Sequence, residues 1–308
     1  MLDLPAEPNP KDRNSYDIMW ILFSIISAIS DAARNILNKR LSNCVSPAVL
    51  NISIYAFSLP VYVILLPQNK VPRLHLEVAL LILIHVALDA TSTLCLTNAL
   101  RVGKLSIVAP LLGCSSLVII ATSPMLVQER VGLLGALGAF VVVVGIFVIH
   151  NDTLSTSLWN SVKNVHKAPG SRLGLIVAIL WAADGQVLKL AVRQVNWQFL
   201  LAVSSFVIVT VLVLRLAVAN GLNQLWYSRK HILTLLGLGI SAAGSLVFMM
   251  IALGARGGLV AYVVSLKRTS VLLGVMAGVL LFREELSLNR VVGAVMIFGG
   301  IILITAFG

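Results

Sequence analysis

Charge is scarce in this 308-residue chain: only 11% of its residues are Asp, Glu, Lys or Arg, where soluble chains carry about 25%. Hydrophobic residues make up 58%, and the mean hydropathy is +0.97. So few charges cannot cover a water-exposed surface, which leaves lipid as the solvent for most of the chain. Aromatic residues are also few, at 6%, so no stacked aromatic cage is expected. Cysteine is limited to Cys44, Cys95 and Cys114. An odd count with two members inside apolar runs makes no disulfide framework, and no C-x-x-C or Cys/His cluster points to zinc. Neither a metal nor a cofactor is expected.

The motifs of catalysis and of nucleotide-driven work are missing too. No G-x-x-x-x-G-K-[ST] run occurs, and Gly237 and Gly239 lack the third glycine and the βαβ setting of a dinucleotide loop. H-E-x-x-H and G-x-S-x-G are absent, and the five histidines, at 75, 85, 150, 166 and 231, are dispersed. An enzyme is therefore not expected. The formal net charge of +11 is spread singly or in pairs without interleaved aromatics. That pattern speaks against nucleic acid as a partner and suits loops facing lipid headgroups.

What the chain does have is long apolar runs. A helix crossing ~30 Å of hydrocarbon needs about 20 mostly apolar residues. Ten such stretches follow one another, at 17–37, 46–66, 77–100, 105–127, 131–149, 173–194, 197–219, 231–254, 258–282 and 288–306. Residues 1–16, Pro-rich and acidic-leaning, carry no cleavable signal peptide and are expected to form a disordered tail. Residues 150–172 form the one long connection. Within it Leu154, Leu158, Val162 and Val165 share a helical face, as in a segment lying flat at the interface.

The two sides of that linker resemble each other. Glu129 is followed by Gly138 and Gly145 at spacings of nine and seven, and Glu284 by Gly293 and Gly300 at the same spacings. Lys39 and Lys189 stand in matching places near the ends of spans one and six. The expected fold is therefore all-α and integral to the membrane, with ten transmembrane helices in two five-helix repeats, 17–149 and 173–308. Because five is odd, the second repeat inserts upside down relative to the first. Inverted repeats are the architecture of secondary transporters, with the substrate site near mid-membrane at their interface.

Eight ionisable residues fall well inside the spans: Asp31, Arg34, His85, Asp89, Asp184, Lys189, Lys267 and Arg268. A charge at mid-bilayer costs about 2.5–3.5 kcal/mol on insertion scales, so each must face a wet cavity or a partner. Lys267 and Arg268 lie about ten residues into span nine, beside Ser265, Thr269 and Ser270. A point charge next to a planar fork suits a carboxylate or phosphate. The alternative is internal pairing with Asp31, Asp89 or Asp184. His85 and Asp89, one helical turn apart, are candidates to carry a coupling proton, with a hydrogen-bonded packing role as the alternative. Asp31 and Arg34, at i and i+3, neutralise each other or face the cavity. Asp184 occupies the place of Arg34 when Lys39 is laid over Lys189, so the two are candidates to meet across the repeat interface. Trp181 is deep enough to line a pocket, whereas Trp20 and Trp226 read as interface anchors. Glu129 and Glu284 are expected to fix turns, with a gating role as the alternative, Gly274 and Gly278 to allow close helix packing, and Pro110 to kink span four.

The duplicated stretches 105–149 and 259–303 resemble the EamA-type branch of the drug/metabolite transporter superfamily, over essentially the whole chain. The resemblance implies ten helices, transport without a nucleotide motor, and a cavity lined by helices three, four, eight and nine. It implies a small polar metabolite as cargo, such as an amino acid or its derivative. The run SLKRTS at 265–270 is similar to the Lys-Arg pair of the plastid-type phosphate translocators, a related branch. There the pair contacts the substrate phosphate together with a lysine from helix four. At the corresponding place this chain has Leu112.

The function expected is a secondary carrier working by alternating access, with Lys267, Arg268, Asp89 and Trp181 binding substrate. His85, Asp31, Arg34 and Asp184 serve coupling or gating. A carrier of anionic or phosphorylated metabolites is the alternative, and a channel or structural membrane protein the distant one. The partners expected are a small-molecule substrate, a coupling proton and the lipid bilayer of a cell membrane, with the chain as monomer or homodimer. Loop cations number seven on the side of the termini and eleven on the other, which favours external termini. The resemblance implies cytoplasmic termini.

Overall fold

The computed structural model describes residues 10–42, 44–66, 75–102, 108, 111–129, 131–149, 170–255, 257–270, 272–273 and 288–307. Among them 88% are helical and none lies in a strand. The helices are α1 (Pro10–Leu41), α2 (Pro47–Ile64), α3 (Leu76–Val102), α4 (Ser115–Leu126), α5 (Leu133–Ile149), α6 (Ser171–Val192), α7 (Trp197–Val218), α8 (Ile232–Gly254), α9 (Val260–Lys267) and α10 (Leu288–Phe307). A short helix, Asn223–Tyr227, and a 3-10 turn, Ser228–His231, lead into α8. Residues 150–169 of the linker, Pro110, Gly274, Gly278 and Glu284 lie outside the described residues, as does the Trp226 side chain.

Among the described residues six helices are long and apolar enough to cross a membrane: α1, α2, α3, α6, α7 and α8. Three shorter apolar helices, Leu111–Leu126, Leu133–Val148 and Val291–Ala306, coincide with expected spans four, five and ten. α1 runs back to Pro10, so residues 10–16, expected in the tail, continue the first helix. A helix need not stop where the hydrocarbon does, because its backbone bonds are satisfied within it.

The polarity of the bundle is that of a protein in lipid. On α1, Leu22, Ile25 and Ile29 point outward, while Ser24, Ser27 and Asp31 are buried. Serine is common inside because a small hydroxyl can return its hydrogen bond to its own helix or pass it to the next one. Ser24 Oγ donates to the Trp20 carbonyl (2.7 Å), Ser27 Oγ to the Ser245 carbonyl across to α8 (2.7 Å), and Ser58 Oγ to Gly239 on α8 (2.8 Å). Trp20, expected as an interface anchor, is buried instead. Its ring packs on Tyr262 of α9 with centroids 6.3 Å apart.

Helices pack in pairs: α5 with α10, α1 with α8, α3 with α6, and α2 with α7. The α5–α10 contact is made backbone to backbone through the glycines of the duplicated pattern. A Cβ on Gly138 would stand 2.7 Å from the Gly300 carbonyl oxygen, and one on Gly145 2.8 Å from that of Gly293. Without a hydrophobic effect in lipid, such close approach is how helices gain van der Waals contact.

Gly300→Ala places its methyl 2.6 Å from the Gly138 carbonyl oxygen, whereas nothing lies within 4 Å of a Cβ at neighbouring Gly299. The first substitution should cost about 2 kcal/mol by overpacking, and Gly299→Ala should be close to neutral. Thermal unfolding in detergent reads the difference; equal melting temperatures for the two variants would contradict this packing.

Candidate functional site

The buried charges of α1, α3, α6 and α9 meet around one cavity of about 60 Å³. At ~10–15 Å³ per water by this measure, it holds a few water molecules. Asp31, Arg34, Asp89, Trp181, Asp184, Lys267 and Arg268 line it, together with the apolar Leu188, Leu246, Met249 and Val264. These lining residues carry three carboxylates against three fixed cations.

Asp31 is the most heavily bonded group in the site. Its Oδ1 pairs with Arg34 Nη2 at 2.7 Å and accepts from Ser245 Oγ of α8 at 3.3 Å. Oδ2 accepts from Asn35 Nδ2 at 3.2 Å and from Ser270 Oγ, just past α9, at 3.0 Å. One carboxylate thus ties together α1, α8 and the segment following α9. The i, i+3 pairing expected for Asp31 and Arg34 is present, and both residues also face the cavity.

The pairing of His85 differs from expectation. Its Nδ1 lies 2.6 Å from Asp184 Oδ1 on α6, rather than engaging Asp89 one turn along its own helix. The α3–α6 contact brings an acid straight across, and that geometry wins over the splayed approach of neighbours along one helix. Asp184 accordingly takes the imidazole and forms no ion pair with Arg34 among the described residues. Asp89 stays at the cavity wall. Its backbone carbonyl accepts weakly from Tyr55 Oη at 3.4 Å, and the same hydroxyl lies 2.8 Å from Thr93 Oγ1.

Lys267 and Arg268 sit where α9 ends. Span nine, expected to be continuous from 258 to 282, changes its hydrogen bonding here. Thr269 N–H reaches back three residues to Leu266, and Leu272 N–H three to Thr269, each at 2.9 Å. Such tightening to a 3-10 pattern within a helix often marks a functional hinge. Arg268 Nη2 donates to Ser115 Oγ of α4 at 2.9 Å, and the guanidinium lies over the Trp181 ring at 4.6 Å from its centroid. Its Nε is buried without a partner. Among the described residues the hydrogen-bond partner of Lys267 Nζ is a thioether, Met249 Sδ at 3.5 Å. Among the described residues no carboxylate comes within 4 Å of either cation.

Several members of this site had no signal of their own in the sequence. Ser115, Ser245 and Tyr55 are ordinary residues in apolar helices, and only the helix pairing gives them their partners. A hydroxyl recurring in an otherwise apolar span was the available hint. Glu129 and Lys189 were both marked by the duplicated pattern, but not as partners. They lie 3.4 Å apart.

One solved crystal structure matches 97% of this chain and 98% of its own length, with a TM-score of 0.68 at 16% sequence identity. It is one of 29 solved chains that match, and at that identity the likeness is one of fold. No curated protein matches the chain. Residues 168–306, from the start of α6 through α10, match the model of the EamA-like transporter family. It is to the EamA-like transporter family, a family of membrane transporters, that this segment of the chain is similar.

Proposed function

We propose that the protein is a secondary carrier that moves a small polar metabolite, such as an amino acid or its derivative, through a cell membrane by alternating access. The observation that carries this reading is the set of cavity charges that form no ion pair among the described residues. Asp31 is saturated by Arg34, and Asp184 is taken by His85. That leaves the Asp89 carboxylate and the Lys267–Arg268 pair, all lining the same cavity, without an ion-pair partner among the described residues. A substrate with an ammonium and a carboxylate answers both, and Trp181 supplies an apolar face beside them. Such interactions replace the water that the buried ions lack, so binding offsets a cost already present in the empty site.

The alternating mechanism rests on two inverted halves. Exchanging α1–α5 with α6–α10 carries the α1–α8 contact onto α6–α3, and α1–α9 onto α6–α4; α5–α10 and α2–α7 map onto themselves. The glycine contacts obey the same exchange, since Gly138–Gly300 becomes Gly293–Gly145. This arrangement supports the ten-helix, two-repeat reading with the cavity at the interface between the repeats. In this scheme the chain works as a monomer or homodimer.

A second reading is favoured by the two unpaired cations: a carrier for anionic or phosphorylated metabolites. Leu112, where related phosphate translocators hold a third cation, packs in an apolar cluster around Val108 and Val177. Thermal unfolding of the purified protein in detergent separates the two. The panel comprises neutral amino acids, dicarboxylates, sugar phosphates and organic cations. A ligand at about 100 times its Kd adds roughly 2.7 kcal/mol to the folded state. We expect amino acids to stabilise the wild type, and Lys267→Met and Asp89→Asn each to lose the effect while remaining folded. Stabilisation by sugar phosphates that survives Asp89→Asn would favour the second reading. Stabilisation that survives both variants would place the ligand elsewhere.

The coupling proton is assigned to the His85–Asp184 pair. Asp184 faces His85 from α6, Asp89 lies on His85's own helix, Tyr55 approaches from α2, and Arg34 of α1 lines the adjoining cavity. In proteoliposomes an imposed pH gradient should accelerate uptake by the wild type. His85→Asn should lose that acceleration and keep substrate counterflow, which moves no net proton. Undiminished acceleration in the variant would remove His85 from the proton path.

A further inference from the structure

Away from the cavity, one end of the bundle is drawn together on a single carboxylate, Glu129, which pairs closely with Lys189 and, at the longer distance of 4.0 Å, with the half-exposed Arg193. Glu129 stands in the turn between α4 and α5, directly after Gln128, whose φ is +56°. It is buried at 7% exposure. Its Oε2 accepts the Val260 N–H, at the first residue of α9, at 2.8 Å, and its Oε1 lies 3.4 Å from Lys189 Nζ near the end of α6. Lys189 Nζ also donates to the carbonyls of Leu253 in α8 and of Gly258 in the α8–α9 connection, at 2.6 and 2.7 Å. The ends of α4, α5, α6, α8 and α9 therefore converge on one carboxylate and one ammonium. Around them Arg193 Nη1 donates to the Val127 carbonyl at 3.1 Å, and Tyr262 Oη accepts the Gly132 N–H at 3.0 Å. Lys39, which holds the matching place on α1, is exposed.

Three of the elements held by this pair, α6, α8 and α9, also line the cavity. α6 carries Trp181, Asp184 and Leu188 into the cavity and Lys189 into the pair. α9 carries Val264 and Lys267 into the cavity and is held at its first N–H by Glu129. At about 60 Å³ the cavity is contracted, and α6 and α9 cannot part at this end while Glu129 and Lys189 stay joined. Building on the carrier reading above, we propose that Glu129 and Lys189 form the gate at this end of the transport path. Joined, they seal it; separated, they let α6 and α9 part and admit water and substrate from that side.

An ion pair suits such a seal better than an apolar contact of equal size. Both groups lie at helix ends, so separation returns two charges to interfacial water. The hydration regained there offsets most of the attraction lost, which keeps the sealed and open states close in free energy. An apolar plug would have no such compensation on exposure. Bistable contacts of this kind let small local changes become large movements of whole elements.

The test uses the full chain with Cys44, Cys95 and Cys114 replaced by Ala and Val264→Cys as a reporter in the cavity wall. A membrane-impermeant maleimide is applied to right-side-out and to inside-out vesicles. Glu129→Gln keeps an oxygen for the Val260 N–H and removes the charge that attracts Lys189. It should raise labelling from the Glu129 side about tenfold and lower it from the other, the population shift that a 1.4 kcal/mol loss of gate energy produces. Lys189→Gln should do the same and carries the test should Glu129→Gln fail to fold. Unchanged labelling, or an equal rise from both sides, would make the pair a structural staple and overturn the proposal. If the reporter without gate substitutions labels from one side only, with or without substrate, alternating access itself fails, a result distinct from failure of the gate.

Discussion

A charge inside this bundle is cut off from bulk water, and most of the interior follows from how each one is answered. Asp31 is the central case. Buried at mid-helix, it draws Arg34 and Asn35 from its own helix, Ser245 from α8 and Ser270 from beyond α9. Each bond lowers the cost of the charge, and together they fix the distance between α1, α8 and the segment that follows Lys267 and Arg268. A negative centre next to two cations also makes their burial tolerable without contacting either one. Lys267 and Arg268 stay within the field of Asp31 while, among the described residues, Arg268 donates to Ser115 and Lys267 to the Met249 thioether.

The same economy separates the parts of the molecule that hold it together from the parts suited to act. Glycine contacts between α5 and α10 and serine bonds between α1, α2 and α8 are short, saturated and uncharged. The groups facing the cavity are less well satisfied: a guanidinium nitrogen with no partner, an ammonium on a thioether, and a carboxylate at the wall.

Much of the fold was legible from composition and spacing because lipid imposes simple rules. Apolar runs of about twenty residues mark helices, and paired glycines at fixed intervals mark where helices touch. The charged residues of the site could also be named, since a charge within a span must have a reason. Their partners could not. His85 was matched to Asp89 because both lie on one helix, yet the acid that reaches its ring comes from α6, 99 residues away. Ser115, which holds Arg268, carries no mark that separates it from neighbouring Ser116. The end of α9 at Lys267 was hidden because a run such as VAYVVSLKRTSVLL is equally apolar whether its hydrogen bonds reach four residues or three. Trp20 was misplaced because nearness to a span end was taken for nearness to the interface, whereas α1 continues outward to Pro10.

The glycine seam has a consequence for how this chain can vary. Gly138 lies against Gly300 and Gly145 against Gly293, carbonyl oxygen to bare α-carbon. A side chain added at any of these positions intrudes on the opposite half rather than on its own. The two halves therefore do not drift independently: a bulkier residue on α5 calls for retreat on α10, and substitutions along the seam should be inherited as matched pairs.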